Sequence, residues 1–576
     1  LPPLLRRLTS VQVTNAGLSR AAEAGWRAGL GAAATKHTKM GADQTMHRRG
    51  FLRAAAAGGL AAASGLAAPR LSLSAESKVL RFVPQANLAN LDPIWTTLYV
   101  VRNASVLFFD TLYGVDSNLV PKPQMCEASE TSDDGLTWTF KLRAGLKFHD
   151  NEPVRPADCI ASLQRWMVRD NMGQMIKARL DAMEAVDDSS FRLRLKQPFP
   201  KLLYALGKVG TPCAFIMPER IAKTDPFKQI NEYIGSGPFR FKRDEWVPGA
   251  SAVFERWDGY VPRAEKSDWL SGGKRVNIDR LEWKIIPDAA TAAAAMQSGE
   301  VDWWETVLPD VVPLLRRSDG VTIDIADPLG NIGDLRMNHL YPPFNDQRVR
   351  LAALIATSQA DYMQAVVGSD QNLWQESASF FTPGTPLYTD YGGDNLKRHD
   401  IAVARKMIED SGHKGAKVVL VIGTDVPIVK AQGDVTADML TKIGLDVDYV
   451  ATDWGTVGAR RASREPIDKG GWNVFHTWHA GVDCVNPGAQ PAFYTTGDRA
   501  WFGWPKSDEV QSKIDAWFAA PNQDAEKQAV REINKASMDF VTFIPTGFFK
   551  GYQAWRKNIG GVVKAPFPVM WDVSKS

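Results

Sequence analysis

Residues 136–150 read LTWTFKLRAGLKFHD. Leu136, Trp138, Phe140 and Leu142 alternate with Thr137, Thr139, Lys141 and Arg143, a period of two that puts the apolar side chains on one buried strand face. Ala144-Gly145 is a turn leading into Leu146 and Phe148, the expected second strand of a hairpin. Asp133-Asp134-Gly135 marks a turn upstream. Downstream, Pro153 and Pro156 precede an apolar-periodic segment, residues 159–168, that predicts a helix.

Two βαβ units can be read from their punctuation. In the first, residues 281–286 are strand-like, Asp288 caps an Ala-rich helix that runs to Ser298, Gly299 stops it, and residues 301–304 begin another strand. In the second, residues 418–422 are an apolar β-branched run, 426–443 are helix-periodic and end at Gly444, and 445–450 alternate. Each unit implies parallel strands with a covering helix, so the fold class is α/β. A length of 576 residues exceeds what one core serves and implies roughly three to four domains.

The identity of the residues adds a family. The opening stretch resembles the DGLTYTFKLR, KFHDG and AEDV run of the family 5 extracellular solute-binding proteins, the dipeptide, oligopeptide and nickel receptors of ABC importers. Asn90-Leu91-Asp92-Pro93 resembles the family's LDP segment, and Phe109-Asp110-Thr111-Leu112-Tyr113 its YETL helix end, with Phe and Asp in place of Tyr and Glu. Gly235-Ser236-Gly237-Pro238-Phe239, followed by Phe254-Glu255-Arg256 and Gly259-Tyr260, is similar to GTGPY and NPDYW. Ser298-Gly299-Glu300-Val301-Asp302 matches SGEVD, and the segments at Met337-Asn338-His339 and 343–350 resemble N-T-x-x-PFDDVRVR.

The resemblance implies a type II periplasmic binding protein with two α/β lobes, a hinge and an additional domain. Carried onto this chain, one lobe takes 76–116, 233–325 and 543–576. The additional domain takes 117–232 and the other lobe 326–542. It also implies a monomeric receptor that closes on a ligand and presents it to an ABC permease, with no catalysis and no cofactor.

The first 75 residues carry 10 Lys+Arg against 2 Asp+Glu, which leaves 58 against 63, about −5, for the rest. The basic excess therefore belongs to a leader, and no Lys/Arg stripe points to nucleic acid. Met46-His47-Arg48-Arg49-Gly50-Phe51-Leu52-Arg53 is similar to a twin-arginine export motif, and the mild apolar run at 54–68 is too short for a membrane span. Residues 46–75 are expected to be a signal peptide for periplasmic export, cleaved after Ala67 or near Ser74. Residues 1–45 are expected to be translated upstream sequence, with Met46 as initiator. Cys126, Cys159, Cys213 and Cys484 fit no zinc spacing and contain no CxxC; their redox state stays open.

No GxSxG, HExxH, Walker A or GxGxxG motif is present, so the major enzyme mechanisms lack their local signatures. The most site-like segment is 471–488, GWNVFHTWHAGVDCVNPG, a buried strand running into a polar, aromatic loop. By family resemblance, Asp483 pairs with the α-amino group of a bound peptide; the alternative is a solvated loop carboxylate. His476, His479, Asp483 and Cys484 are chemically fit for a metal, but residues three apart on a strand face opposite sides, so no metal site is expected.

Trp303, Trp304 and Glu305 end a parallel strand, where ligands of open α/β sheets bind. Alternation sends one Trp to the core and the other toward the cleft, and Glu305 is a second anion for a cationic ligand. Trp478, His479, Asn338, Trp374 and Tyr494 complete the candidate ligand set. The 19 Trp suit a cleft with flat apolar walls. Residues 501–505, WFGWP, depart from the dipeptide-receptor pattern and are expected to shape a pocket or a permease surface. The expected ligand is a peptide or other amine-bearing solute. The rivals are a nickel chelate, an opine or a sugar on the same fold, or an exported cofactor enzyme.

Overall fold

The computed structural model describes residues 78–576; the upstream extension, the twin-arginine segment and both candidate cleavage points lie outside the described residues. Thr137–Leu142 is a strand with Phe140 and Leu142 buried and Trp138 half-buried. Its hairpin partner is upstream, not downstream. Cys126–Thr131 pairs antiparallel with it across the Asp133-Asp134-Gly135 turn, and Ser190–Leu195 takes its other edge. The expected second strand at Leu146 and Phe148 does not form, although both side chains are buried. The backbone there serves a loop, with Phe148 N donating to Glu152 O at 2.8 Å and His149 N to Gly235 O at 2.9 Å. Leu180–Ala185 completes a four-stranded antiparallel sheet.

Two larger sheets frame the molecule. The first has seven strands, in spatial order Phe239–Phe241, Ser251–Arg256, Arg280–Lys284, Val79–Val83, Trp303–Val307, Tyr552–Arg556 and Val321–Asp324. The helix Ala289–Ser298 connects Arg280–Lys284 to Trp303–Val307 by crossing over Val79–Val83, which is parallel to both. Asp288 caps that helix on Thr291 N, and Gly299 ends it at φ 83°.

The second sheet has six strands, in order Trp374–Gln375, Ile544–Phe549, Asn331–Met337, Val474–Ala480, Lys417–Gly423 and Asp446–Thr452. The last two are parallel neighbours joined through the helix Pro427–Lys442. The chain passes between the large sheets at 325–330 and again at Lys550-Gly551, since Ile544–Phe549 lies in the second sheet and Tyr552–Arg556 in the first. The second crossing thus falls later than the expected 543.

The helix Pro156–Arg169 begins with Pro at its first position and is capped by Arg155 N donating to Asp158 Oδ2 at 2.8 Å. Its Arg165 clasps Asp92 with two hydrogen bonds of 3.1 and 2.7 Å, both side chains buried. This pair ties the helix to the 90–93 segment. Gly235 lies against the turn of the chain at Phe108; a Cβ there would sit 1.9 Å from Phe108 O, so only glycine fits. His149 accepts from Gly235 N through Nδ1 (3.3 Å) and donates from Nε2 to Gly237 O (3.0 Å), stapling the same loop. All four cysteines are free and buried, and burial pushes the Cys126 thiol up to about 12. No helix among the described residues is long and apolar enough to cross a membrane.

Candidate functional site

The strand Val474–Ala480 is internal to the second sheet and buried along its whole length. Its alternation separates the two histidines. His476 Nε2 meets Thr436 Oγ1 at 2.6 Å on one face, and His479 Nε2 meets Asp334 Oδ2 at 2.8 Å on the other. Burial holds His476 down at about 3, hence neutral. Each histidine therefore supports the sheet, and no cluster of three or more metal-ligating side chains occurs among the described residues.

Beyond the strand end, the chain turns through Gly481–Cys484 and places Asp483 against the first large sheet's side of the molecule. Tyr99, the first residue of the helix Tyr99–Phe108, donates its hydroxyl proton to Asp483 Oδ2 at 2.6 Å and accepts from Ala480 N at 2.9 Å. Asp483 Oδ1 is buried with no partner. Burial raises the Asp483 carboxyl above its usual range, against the pull of the Arg102 guanidinium and the Tyr99 hydrogen bond. A buried acceptor left open in this way carries a desolvation cost of about 1–3 kcal/mol, or more for a charge.

Trp478 is the shared wall of three chambers that run between the two large sheets. Its ring stacks on Trp454 at 5.9 Å and packs near Tyr99 at 6.1 Å. The first chamber, about 500 Å³ counting the open solvent within it, is lined by Tyr99, Thr97, Trp454, Arg461, Trp501, His479 and Asp483. The second, about 710 Å³, is apolar, with Pro84, Ile286, Trp304, Leu308, Val426 and Ile428 in its walls. The third, about 610 Å³, is polar, lined by Arg102, Asn103, Glu305, Asp327 and Gln553.

Glu305 is held by two donors, Gln85 N on Oε2 and Asn103 Nδ2 on Oε1, both at 2.8 Å. Burial nevertheless pushes it up to about 7, and the same cause lifts Asp327 to about 7. The third chamber thus holds two carboxyl groups poised near neutrality beside one guanidinium.

Four of the expected ligand residues lie elsewhere. Trp303 is core: its Nε1 donates to Gln553 Oε1 at 3.0 Å and its ring meets Phe82 edge-on, while the adjacent Trp304 takes the chamber side. Asn338 follows the far end of Asn331–Met337, about seven residues from the chamber end, and spends both amide atoms on Trp472 O and Leu340 N. Trp374 belongs to an edge strand beside Phe549. Tyr494 is buried behind the Asp483 loop, its hydroxyl on Gly488 O at 3.4 Å.

The residues that sequence reasoning missed are Tyr99, Thr97, Arg102, Trp454 and Arg461. No local motif marks them, because each reaches the site from a distant segment. Trp501 is the exception, since the unusual 501–505 run drew attention to it.

The family model for bacterial extracellular solute-binding proteins, family 5 (middle region), matches residues 120–500. A probable peptide ABC transporter periplasmic-binding protein, y4tO of Sinorhizobium fredii (strain NBRC 101917 / NGR234), is 33% identical over 538 residues, covering 92% of this chain and all of that relative. The oligopeptide-binding protein AppA of Bacillus subtilis, solved with a nonapeptide, superposes with a TM-score of 0.73 at 16% identity, over 87% of this chain and 99% of that one. MoaA of A. tumefaciens R10, solved with mannopinic acid, superposes at 0.72 and 19% identity, over 87% and 100%. At such identities the two structures speak to fold alone, that of an α/β type II periplasmic binding protein. The chain belongs to the family 5 bacterial extracellular solute-binding proteins, whose members bind solutes and are not enzymes.

Proposed function

We propose that the chain is the periplasmic receptor of an ABC importer and that its ligand is a peptide whose α-amino group docks on Asp483. One observation carries the ligand assignment: Asp483 is a buried carboxylate with one oxygen on Tyr99 and the other unpaired, at the wall of the first chamber. A ligand ammonium supplies the missing donor and the missing charge together, and draws the raised carboxyl back to its ionised form. The peptide named for the S. fredii relative supports the same class.

Trp478 separates the amine from side chains that enter the apolar chamber beside Trp304 or the polar chamber beside Glu305. The lobes built on the two large sheets close about the crossings at 325–330 and Lys550-Gly551. Closure follows binding because only the closed form makes both sets of contacts, and the permease distinguishes that form. Export of the folded monomer by the twin-arginine route through residues 46–75 completes the reading.

A thermal-shift screen of the purified mature chain, backed by native mass spectrometry, compares peptides with amino-acid derivatives, chelated nickel, opines and sugars. Peptides are expected to raise the melting temperature. Asp483→Asn is expected to weaken a free-amine peptide by about 30- to 100-fold, one charge-assisted hydrogen bond, while leaving an N-acetylated analogue unaffected. A stoichiometric chelate, opine or sugar with no response to peptides would overturn the assignment.

A further inference from the structure

Residues 339–350, 496–506 and Phe540 enclose a cavity of about 680 Å³ that shares no wall residue with the three chambers. A volume of that order is what a small molecule occupies. Its wall combines two kinds of surface. Leu340, Trp504 and Phe540 are apolar, whereas Arg350, Arg499 and Lys506 are cationic and Asp498 is the one carboxylate among the wall residues. Arg464 already pairs with that carboxylate. Among the described residues, Arg350, Arg499 and Lys506 form no salt bridge, in a chain that is net acidic beyond its leader.

Two groups of the wall are buried without the partner their chemistry calls for. Arg350, 3% exposed, spends its guanidinium on the backbone carbonyls of Phe344, Asn345 and Phe540. Asp346, the acidic group it feels, is spent on Arg348 at 2.6 Å. Burial holds Arg350 down at about 10, so it stays a cation at neutral pH. The His339 ring packs on Phe540 at 5.5 Å, and its Nε2 is buried with no hydrogen bond. Burial, and after it the charges of Arg350 and Arg336, keep that ring neutral.

Trp504 is held in the wall at a backbone cost. Its φ is 49°, a left-handed conformation that bulky residues seldom adopt. Gly503 beside it has φ 94° and has no room for a Cβ, which would sit 2.4 Å from Met337 O. His339 N donates to Gly503 O at 2.9 Å, and the Arg464 guanidinium lies 5.0 Å from the Trp504 ring centroid. The unusual 501–505 run thus serves this cavity through Trp504 and the first chamber through Trp501.

We infer that this cavity is a second ligand site, for a small organic anion with a flat apolar body: a carboxylate or a phosphate ester carried on an aromatic or similarly planar group. The head group meets Arg499 and Lys506 at the exposed rim, where uncompensated cations in a concave wall focus their field on an anion. The body lies along Trp504 and Phe540, whose rings exclude water from it, and His339 Nε2 is left for a polar substituent. The site selects the charge opposite to the one Asp483 selects, and it stands independently of the peptide reading.

The experiment titrates the mature chain with phenyl phosphate, phenylacetate, inorganic phosphate and benzyl alcohol by isothermal calorimetry. At least one aryl anion is expected to bind at one per chain, about tenfold or more tighter than inorganic phosphate or benzyl alcohol, and to weaken as salt is added. Whichever of phenyl phosphate and phenylacetate binds tighter identifies the head group. Arg499→Glu combined with Lys506→Glu is expected to weaken that anion by about 30-fold or more at an unchanged melting temperature, because both side chains are exposed and make no hydrogen bond among the described residues. Arg461→Met, which removes a cation of the first chamber, is expected to leave the affinity unaltered. The site is overturned by no saturable binding of either aryl anion, by benzyl alcohol or inorganic phosphate binding as tightly, or by full affinity in the charge-reversed variant. Loss of binding in Arg461→Met overturns it too, since the anion would then sit in the first chamber. Peptide titrations read the other site separately, so each of these outcomes leaves the peptide assignment standing.

Discussion

Glu305 keeps a proton in the folded chain that the unfolded chain sheds near its ordinary pKa of 4.5. Between about pH 4.5 and 7 the folded state therefore binds more protons, and stability declines as pH rises, by about 3 kcal/mol in all. Glu305→Gln is expected to flatten the fall of melting temperature between pH 5 and 8, read by calorimetry at constant ionic strength; an unchanged slope would assign the proton to another group. At this scale, part of the site was legible. Asp483 and Trp478 stand in one continuous segment, and the strand-to-loop change at 471–488 marks them. Tyr99 was not legible, because its partner is 384 positions away and nothing local distinguishes it from any aromatic at a helix start. Asn338 misled for the converse reason: its segment matches the family, but the match reflects a buried amide that closes a strand end.

Elements were read best where a backbone need has a chemical signature. The Asp288 cap and Gly299 stop bound one helix, and an apolar β-branched run followed by Gly444 bounds the second βαβ unit. The hairpin at 136–150 shows the limit. A period of two tells which face is buried and says nothing about which strand lies alongside. Both edges of Thr137–Leu142 are taken by Cys126–Thr131 and Ser190–Leu195, so Leu146 and Phe148 bury their side chains without pairing. The docking of that unit depends on Arg165 and Asp92. Asp92→Ala leaves a buried guanidinium unpaired and is expected to cost about 3–5 kcal/mol in denaturant unfolding. The double change Asp92→Leu with Arg165→Met is expected to recover only the part of the loss that is due to charge, because Ile94 N, Trp95 N and Ile230 N also donate to the Asp92 carboxylate and lose their acceptor in both variants. Equal losses in the single and double variants would mean that packing, not charge, is at issue.

Across the whole molecule, the Tyr99 hydroxyl ties the helix Tyr99–Phe108 to the end of the strand Val474–Ala480 and to Asp483 beyond it, through two hydrogen bonds. Tyr99→Phe removes both and is expected to lower the closed population of the ligand-free chain roughly five- to tenfold, seen as a larger radius of gyration in solution scattering. Scattering indistinguishable from the parent's, with ligand absent, would show that closure rests on other contacts. The four cysteines are buried and free, so no disulfide ties the sheets together. A last consequence concerns the stacked indoles of Trp454 and Trp478. Trp166, Trp283, Trp303, Trp472 and Trp571 are sealed in the interior and give a steady emission, whereas the stacked pair borders the space a solute enters. The molecule therefore carries its own optical gauge of occupancy, readable without a label: a saturable change in tryptophan emission in the parent chain, diminished in Trp478→Phe, where Trp454, Trp501 and Trp304 still line the chambers.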